Sequence, residues 1–415
     1  MNKKSRSLLN NGFINPYLLC SFVFLLVLFL YKLGYSEYTG IISTRLLVFL
    51  IILILFNVIL FSITKSRFKK YVDYSFKESI MSTKYCGFFS LFFMVLGFAE
   101  IIYSGGMPIL GQVNYKDYGI PVVHVFLVVC DSFFILLIFK RIFQSSKNRF
   151  KLLFYFIISV LPLIVALSRG TIAILLVGVG IEYMFSRKTI RLKETVFVLI
   201  FVIMGLYLFG LAGNYRMQHD YQEKSTIQDT SLILNIGKAN QAFQDSKIPK
   251  PFFWSYIYIT TPLSNLELNN NLVKVDSSEM TMGKFSEYTV VNFVPDFISK
   301  RIYPNASDDY KPWLITPEFT VSSSFIMPYL ISGWLGVYIF LIYELLFPLV
   351  YFWLIRKFAI KYFDVAIALV STIYIFMPFS NFFAFSALSL QLILPFVCSL
   401  LGRIRIFRLE KRIAD

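Results

Sequence analysis

LPLIVALSRGTIAILLVG (residues 161–178) sets two long apolar runs against one another with only Ser168-Arg169-Gly170 between them. An arginine at the middle of a bilayer costs several kcal/mol, roughly 3 on insertion scales. If both runs cross a membrane, Arg169 sits at a membrane surface or faces something that repays its burial. The same reading extends outward in both directions, because runs of about 20 apolar residues recur along the chain.

The composition agrees. Over 415 residues the chain is 57% hydrophobic and 15% charged, with a mean hydropathy of +0.67, which excludes an ordinary soluble domain. Phe (46) and Tyr (26) are abundant, as lipid-facing surfaces and interfacial belts require. The net charge of +16 does not point to nucleic acid, because lysine and arginine cluster in short segments between apolar runs. The basic start, MNKKSRSLLNNGFINP, leads into an apolar segment with no small-residue cleavage site after it, so a retained first helix is expected rather than a signal peptide. Cys20, Cys86, Cys130 and Cys398 all fall inside expected spans and form neither a disulfide framework nor a zinc-type spacing.

Spans are expected at 14–33, 45–64, 85–103, 121–139, 151–167, 171–186, 194–213, 333–355, 362–380 and 383–402. With the N-terminus inside, the inner segments collect Lys3, Lys4 and Arg6, then Lys65 to Lys84, Lys140 to Lys151, Arg187 to Lys193, Arg356 to Lys361, and Arg403 to Arg412. The short outer segments hold only Lys32, Arg45, Lys116 and Arg169. This asymmetry puts both termini in the cytoplasm. The expected fold is an all-α polytopic membrane protein of about 10 transmembrane helices. Residues 1–213 form an N-terminal bundle of about seven spans. Residues 214–332 form a large extracytoplasmic loop with amphipathic helices, and 333–415 a C-terminal bundle of about three spans with a basic tail.

This topology puts Arg169 at the outer face, with Gly170 permitting a tight turn. Its guanidinium either snorkels to lipid phosphates or faces a bound anion. The outer loop is too long for a connector, and its apolar stretches PFFWSYIYITTPLSNLEL and YTVVNFVPDFISKRIYP suit helices on a membrane surface or over a cavity.

Titratable residues at the outer face are few. His219 in GNYRMQHD follows Arg216 by three residues, so a continuing helix puts both on one face. It is a candidate base for a hydroxyl proton, or simply a solvated loop histidine. His124 begins the fourth span, with Asp131 two turns below it, where a carboxylate is a functional candidate by default or a helix-pairing acid. Glu100 ends the third span within range of Arg169. Lys300 and Arg301 are a solvated basic pair or one side of a phosphate clamp. Glu318, just before the chain re-enters the membrane, is the alternative base. Walker, HExxH and GxSxG motifs are absent, which argues against an ATPase, a zinc protease or a serine hydrolase, and no metal site or cofactor is expected.

The stretches YSGGMPILGQVNYKDYGIPVVHVF, LSRGTIAILLVG, GLAGNYR, YITTPLSNLEL and TPEFTVSSSFIMPYLISGWLGVYIF resemble the oligosaccharide repeat-unit polymerases, the O-antigen and capsule (Wzy-type) polymerases of bacterial membranes, over residues 85 to 345. The resemblance implies a GT-C-like fold in the inner membrane with the large loop in the periplasm. It implies a metal-independent glycosyltransferase that moves the growing glycan from undecaprenyl diphosphate to a hydroxyl of the next lipid-linked repeat unit. Arg169 and Arg216 would neutralise the departing diphosphate, and His219 or Glu318 would be the base. Asn214, Tyr215, His124, Lys300, Arg301 and Asp131 would line the substrate path. Expected partners are undecaprenyl-diphosphate-linked oligosaccharides and membrane lipids, with a chain-length regulator and a flippase as companion proteins and no nucleic acid. The alternatives are an O-antigen ligase and a transporter, either a flippase or an exporter of the same lipid-linked sugar.

Overall fold

The computed structural model describes residues 14–166, 169–187, 192–220, 229–275 and 281–403. Among them there is no strand; a single β-bridge joins Ser36 to Ala239. The first seven helices are α1 (Pro16–Lys32), α2 (Thr44–Lys77), α3 (Thr83–Ser104), α4 (Val123–Gln144), α5 (Arg149–Val165), α6 (Arg169–Ser186) and α7 (Leu192–Asp220). Six shorter or crosswise elements follow: α8 (Ser231–Ile236), α9 (Gln241–Gln244), α10 (Phe252–Leu272), α11 (Met282–Phe293), α12 (Asp296–Ile302) and α13 (Ala306–Asp309). The chain closes with α14 (Ile326–Phe358), α15 (Phe363–Phe376) and α16 (Ser386–Arg403).

Six of these helices among the described residues are long and apolar enough to cross a membrane: α2, α3, α4, α14, α16 and the Leu199–Gln218 part of α7. The chain thus has the build of an α-helical membrane protein. The other expected spans also fall on helices, but shorter ones: α1 and α5 have 17 residues, α6 has 18 and α15 has 14. At 1.5 Å per residue these reach about 21–27 Å, short of a hydrocarbon core of roughly 30 Å.

Bonds between helix termini define two ends of the bundle. At one end, Gln144 at the close of α4 donates to the Phe76 carbonyl of α2 (2.6 Å), and Ser399 of α16 donates to the Phe358 carbonyl of α14 (2.6 Å). This is the basic end, where α2, α4 and α14 finish on Lys77, Arg141, Arg356 and Lys357. At the other, the loop end, the segment between α1 and α2 meets α10: the Tyr35 amide donates to the Tyr256 hydroxyl (3.0 Å), and the Ser43 amide to Glu267 (3.0 Å).

The centre of the bundle is α15. Apart from Asp364, Ser371 and Thr372 its sequence FDVAIALVSTIYIF is apolar, and every residue from Phe363 to Tyr374 is buried, against α1, α2, α6 and α14. α7 is apolar along its middle but sits at the rim, with Phe197, Leu199, Ile200, Phe201 and Met204 exposed where lipid would lie. Small residues bring α3 and α5 close, as membrane helices favour: Ser159 donates to Ser90 (3.0 Å), and a Cβ at Gly97 would touch Pro162. α14 breaks at Ser332-Gly333, where Gly333 adopts φ 59°, ψ −149°, a conformation open to glycine alone. The expected eighth span at 333–355 starts at that break.

Three expectations change. Gly170 makes no turn; it lies in the first turn of α6 and is not among the glycines with positive φ. Residues 167 and 168 lie outside the described residues. Lys140 is not an interfacial charge but is 1% exposed inside the bundle, paired with Asp364 at 2.7 Å. The stretch PFFWSYIYITTPLSNLEL, expected as an amphipathic helix on the membrane surface or over a cavity, is α10, and it has no apolar face distinct from a polar one. Fourteen of its 21 residues are buried, so it serves as a strut across the loop end, from α7 past α1 to α14. Its polar residues suit that place because they are spent on covering chain: Asn265 donates to the Phe319 and Val321 carbonyls (2.8 and 2.9 Å), and Asn269 to the Trp313 carbonyl (2.8 Å).

Candidate functional site

At the loop end, α7 and α10 approach almost backbone to backbone. A Cβ on Gly210 would collide with the Pro251 carbonyl, and one on Gly213 would sit 2.7 Å from the Trp254 ring. The contact fixes Trp254, whose indole N–H donates to Asn214 Oδ1 (2.6 Å), while Ser255 donates to the Leu206 carbonyl (2.9 Å). Trp254 and Tyr258 lie four residues apart on one face of α10. Arg216, in the last turns of α7 where a cation meets the helix dipole favourably, donates to the Tyr258 hydroxyl (3.2 Å).

These residues wall an open groove of about 860 Å³, lined by Phe209, Tyr215, Arg216, Trp254 and Tyr258 and roofed by Pro108, Ile109 and Gly111 of the α3–α4 loop. Four aromatic rings line it, and among the described residues the Arg216 guanidinium is its one cation. Aromatic faces take the apolar faces of sugars, and a guanidinium fork takes phosphate oxygens. Glu318 is half-buried nearby: Phe319, next in sequence, packs against Trp254 and Tyr258 with ring centroids 6.5 and 6.1 Å apart.

The other flank of the α3–α4 loop builds a second feature. His124 Nδ1 lies 2.9 Å from Glu100 Oε2, with the carboxylate 2% exposed and the imidazole 27%. Tyr118 meets the imidazole edge-on, and a Cβ at Gly119 would strike the ring at 2.6 Å. The backbone entering α4 is strained: Val122 has φ 69°, ψ −49°, and the Val123 amide bonds back to the Pro121 carbonyl (2.8 Å), a γ-turn of the rare kind. Strain of this type is costly in a β-branched residue and gathers at functional positions. A carboxylate on Nδ1 favours the proton there and leaves Nε2 as the acceptor.

The expected residues therefore divide. Arg216 and Tyr215 line the groove, Asn214 is buried behind it holding Trp254, and Glu318 lies beside it. His124 stands under the same loop that roofs the groove, and Glu100 is its partner. Lys300 and Arg301 do not line the groove: Lys300 pairs with Asp296 on α12 (3.2 Å), and Arg301 stacks on Phe297 at 3.9 Å. Phe297 in turn touches Phe126 of α4 (5.7 Å), so α12 flanks the His124 side of the loop end. Asp131 is fully buried in α4, and neither carboxylate oxygen has a hydrogen-bond partner among the described residues. The side chains of Arg169 and His219 lie outside the described residues.

Sequence reasoning missed Trp254, Tyr258 and the Glu100–His124 pair. The first two carried a signal, an i,i+4 aromatic pair in a segment rich in Asn, Ser and Thr. The third carried none, since 24 residues separate the partners. No protein family, curated protein or solved structure matches the chain.

Proposed function

We propose that this chain is a glycosyltransferase of polyprenyl-diphosphate-linked sugars, and specifically a polymerase of oligosaccharide repeat units. The observation that carries the reading is the setting of Arg216. A guanidinium stands at the mouth of an aromatic groove, on a helix whose outer flank is apolar and exposed. An undecaprenyl chain lying along α7 would bring its diphosphate to Arg216 and its sugars over Trp254, Tyr258 and Tyr215. A ten-span, GT-C-like arrangement in the bacterial inner membrane, with the loop end in the periplasm, belongs to the same proposal.

The transfer itself balances without ATP. The acceptor hydroxyl oxygen of the incoming unit attacks the anomeric carbon of the growing glycan, and the bond from that carbon to the diphosphate oxygen breaks. Undecaprenyl diphosphate leaves with the bonding pair, and the hydroxyl proton passes to a base. Arg216 stabilises charge on the leaving oxygen, the kind of contribution whose loss costs about 10²–10³-fold in rate. His124, oriented by Glu100, is one candidate base, with His219 and Glu318 the others. Arg169 stays within the proposal as a second diphosphate ligand.

An O-antigen ligase is the second reading, because the same groove would serve any transfer from a polyprenyl diphosphate. Surface polysaccharide from a strain lacking the protein separates the readings on a gel. A lipid core carrying one repeat unit, with ladders restored by the wild-type gene, is the expected pattern. Long polymer retained on undecaprenyl diphosphate would mean ligase, and units left unexported would mean flippase.

A further inference from the structure

The basic end holds a feature that the transfer reaction does not use. A hollow of about 310 Å³ lies between the last turn of α14, the turn leading to α15 and the end of α16, edged by Lys357, Lys361 and Arg403. A second, of about 550 Å³, runs between α3, α4 and α16 with walls that include Phe89, Phe93, Phe134, Leu137 and Leu401. The two are continuous, for Ile80, Tyr362, Cys398 and Gly402 line both. Each volume is ligand-sized, within about 300–1,000 Å³.

Polarity changes sharply along this path. The three cations are exposed at one end. Arg403 is anchored by a bond to the Phe358 carbonyl (3.1 Å), and Lys357 rests against the Trp353 and Phe358 rings (5.3 and 5.1 Å). Glu78, 3.6 Å from Lys361, is an acid beside them and offsets one charge. Beyond Tyr362 and Cys398 the walls are rings and aliphatic chains. A free anion could use only the first hollow and a hydrocarbon only the second. The chain beyond Arg403 is net basic, with Arg405, Arg408, Lys411 and Arg412 against Glu410 and Asp415.

We propose that this continuous groove binds one anionic glycerophospholipid of the surrounding membrane, its phosphate among Lys357, Lys361 and Arg403 and an acyl chain between α3, α4 and α16. Basic pockets between membrane helices at the lysine- and arginine-rich side take acidic headgroups in this way. The site is distinct from the groove at Arg216, which opens at the opposite end of the bundle.

The full-length protein, purified in detergent and stripped of lipid, is titrated with phosphatidylglycerol and with phosphatidylcholine of the same chains, and bound lipid is read by native mass spectrometry. Phosphatidylglycerol should be retained in preference. The triple variant K357Q/K361Q/R403Q should lose roughly fivefold in affinity per charge, on the order of a hundredfold together, and should bind phosphatidylcholine as before. Gly402→Phe is an independent variant at a position where an added Cβ meets nothing within 4 Å. It should block the junction and weaken both lipids. Equal retention of the two lipids, unchanged phosphatidylglycerol binding in the triple variant, or preference for undecaprenyl phosphate over phosphatidylglycerol would each overturn the proposal.

Discussion

His124 Nδ1 and Glu100 Oε2 stand 2.9 Å apart at the loop end, joining the start of α4 to the last turns of α3. The pair has the form of a base and the carboxylate that orients it. His124→Gln should lower turnover by about 10²–10⁴-fold, the usual worth of general-base catalysis. Glu100→Gln should reduce turnover less, because an amide still holds the ring. Steady-state transfer rates for both variants, with thermal unfolding as a control for misfolding, check this. Wild-type turnover in His124→Gln would shift the base to Glu318 or His219.

Close approach of α7 to α10 predicts a contrast between glycines of one helix. Gly213→Ala forces a methyl into the Trp254 ring, and overpacking of that kind costs about 1–3 kcal/mol. Gly205→Ala meets nothing within 4 Å and should be neutral or slightly stabilising. Thermal unfolding midpoints and transfer rates should fall together for Gly213→Ala only.

Lys140 and Asp364 form an ion pair with 1% and 0% of their side chains exposed, bracketed by the Ser75 carbonyl, which accepts from Lys140 at 2.8 Å. Glu182 is buried close to both. Removing one partner leaves an uncompensated charge and should cost about 3–5 kcal/mol. Lys140→Met and Asp364→Leu should each unfold at markedly lower temperature, and the double variant should recover most of the loss. Singles as stable as wild type would contradict the pairing.

Asp296 ties α12 to the start of α16. Its carboxylate accepts from the Ser386 amide (3.0 Å) and hydroxyl, and Ser386 Oγ accepts from the Phe297 amide (2.8 Å). Burial alone would raise this carboxyl. The two Ser386 bonds and the Lys300 ammonium outweigh it and hold the carboxyl below its ordinary value. A lowered folded-state pKa stabilises above the unfolded value, about 3.9, and that stabilisation is lost as pH falls through the folded one. Asp296→Asn should therefore be less stable than wild type at pH 7, with the gap closing below about pH 4. A gap independent of pH would show that the carboxylate charge contributes nothing.

The sequence carries helix type and placement well but not the position of each helix in the bundle. Every expected span falls on a helix, because apolar length is a local property. α7 and α15 show the limit: both carry long apolar runs, yet α15 is the centre and the 197–204 stretch of α7 is the rim, a difference set by which partners pack. α10 was misread for a related reason. Its apolar length reads as a helix on a membrane surface or over a cavity, whereas its Ser264, Asn265 and Asn269 bond neighbouring chain inside the fold. Arg216 and Tyr215 could be picked out because GLAGNYR, at the end of the seventh expected span, is one of the stretches that carry the resemblance. Glu100 could not be matched to His124, since His124 and Arg169 were both expected at the outer ends of spans and nothing in the sequence chose between them.

The most direct test of the central claim is transfer by the purified protein in lipid vesicles, supplied only with undecaprenyl-diphosphate-linked repeat units. A ladder of longer glycans should form, with one undecaprenyl diphosphate released per unit added. Arg216→Ala should slow this by about 10²–10³-fold, and Arg216→Lys, which keeps charge but loses the fork, should retain part of the rate. Ladders formed equally well by Arg216→Ala, or no ladder from wild-type protein given its lipid-linked substrate, would contradict the account.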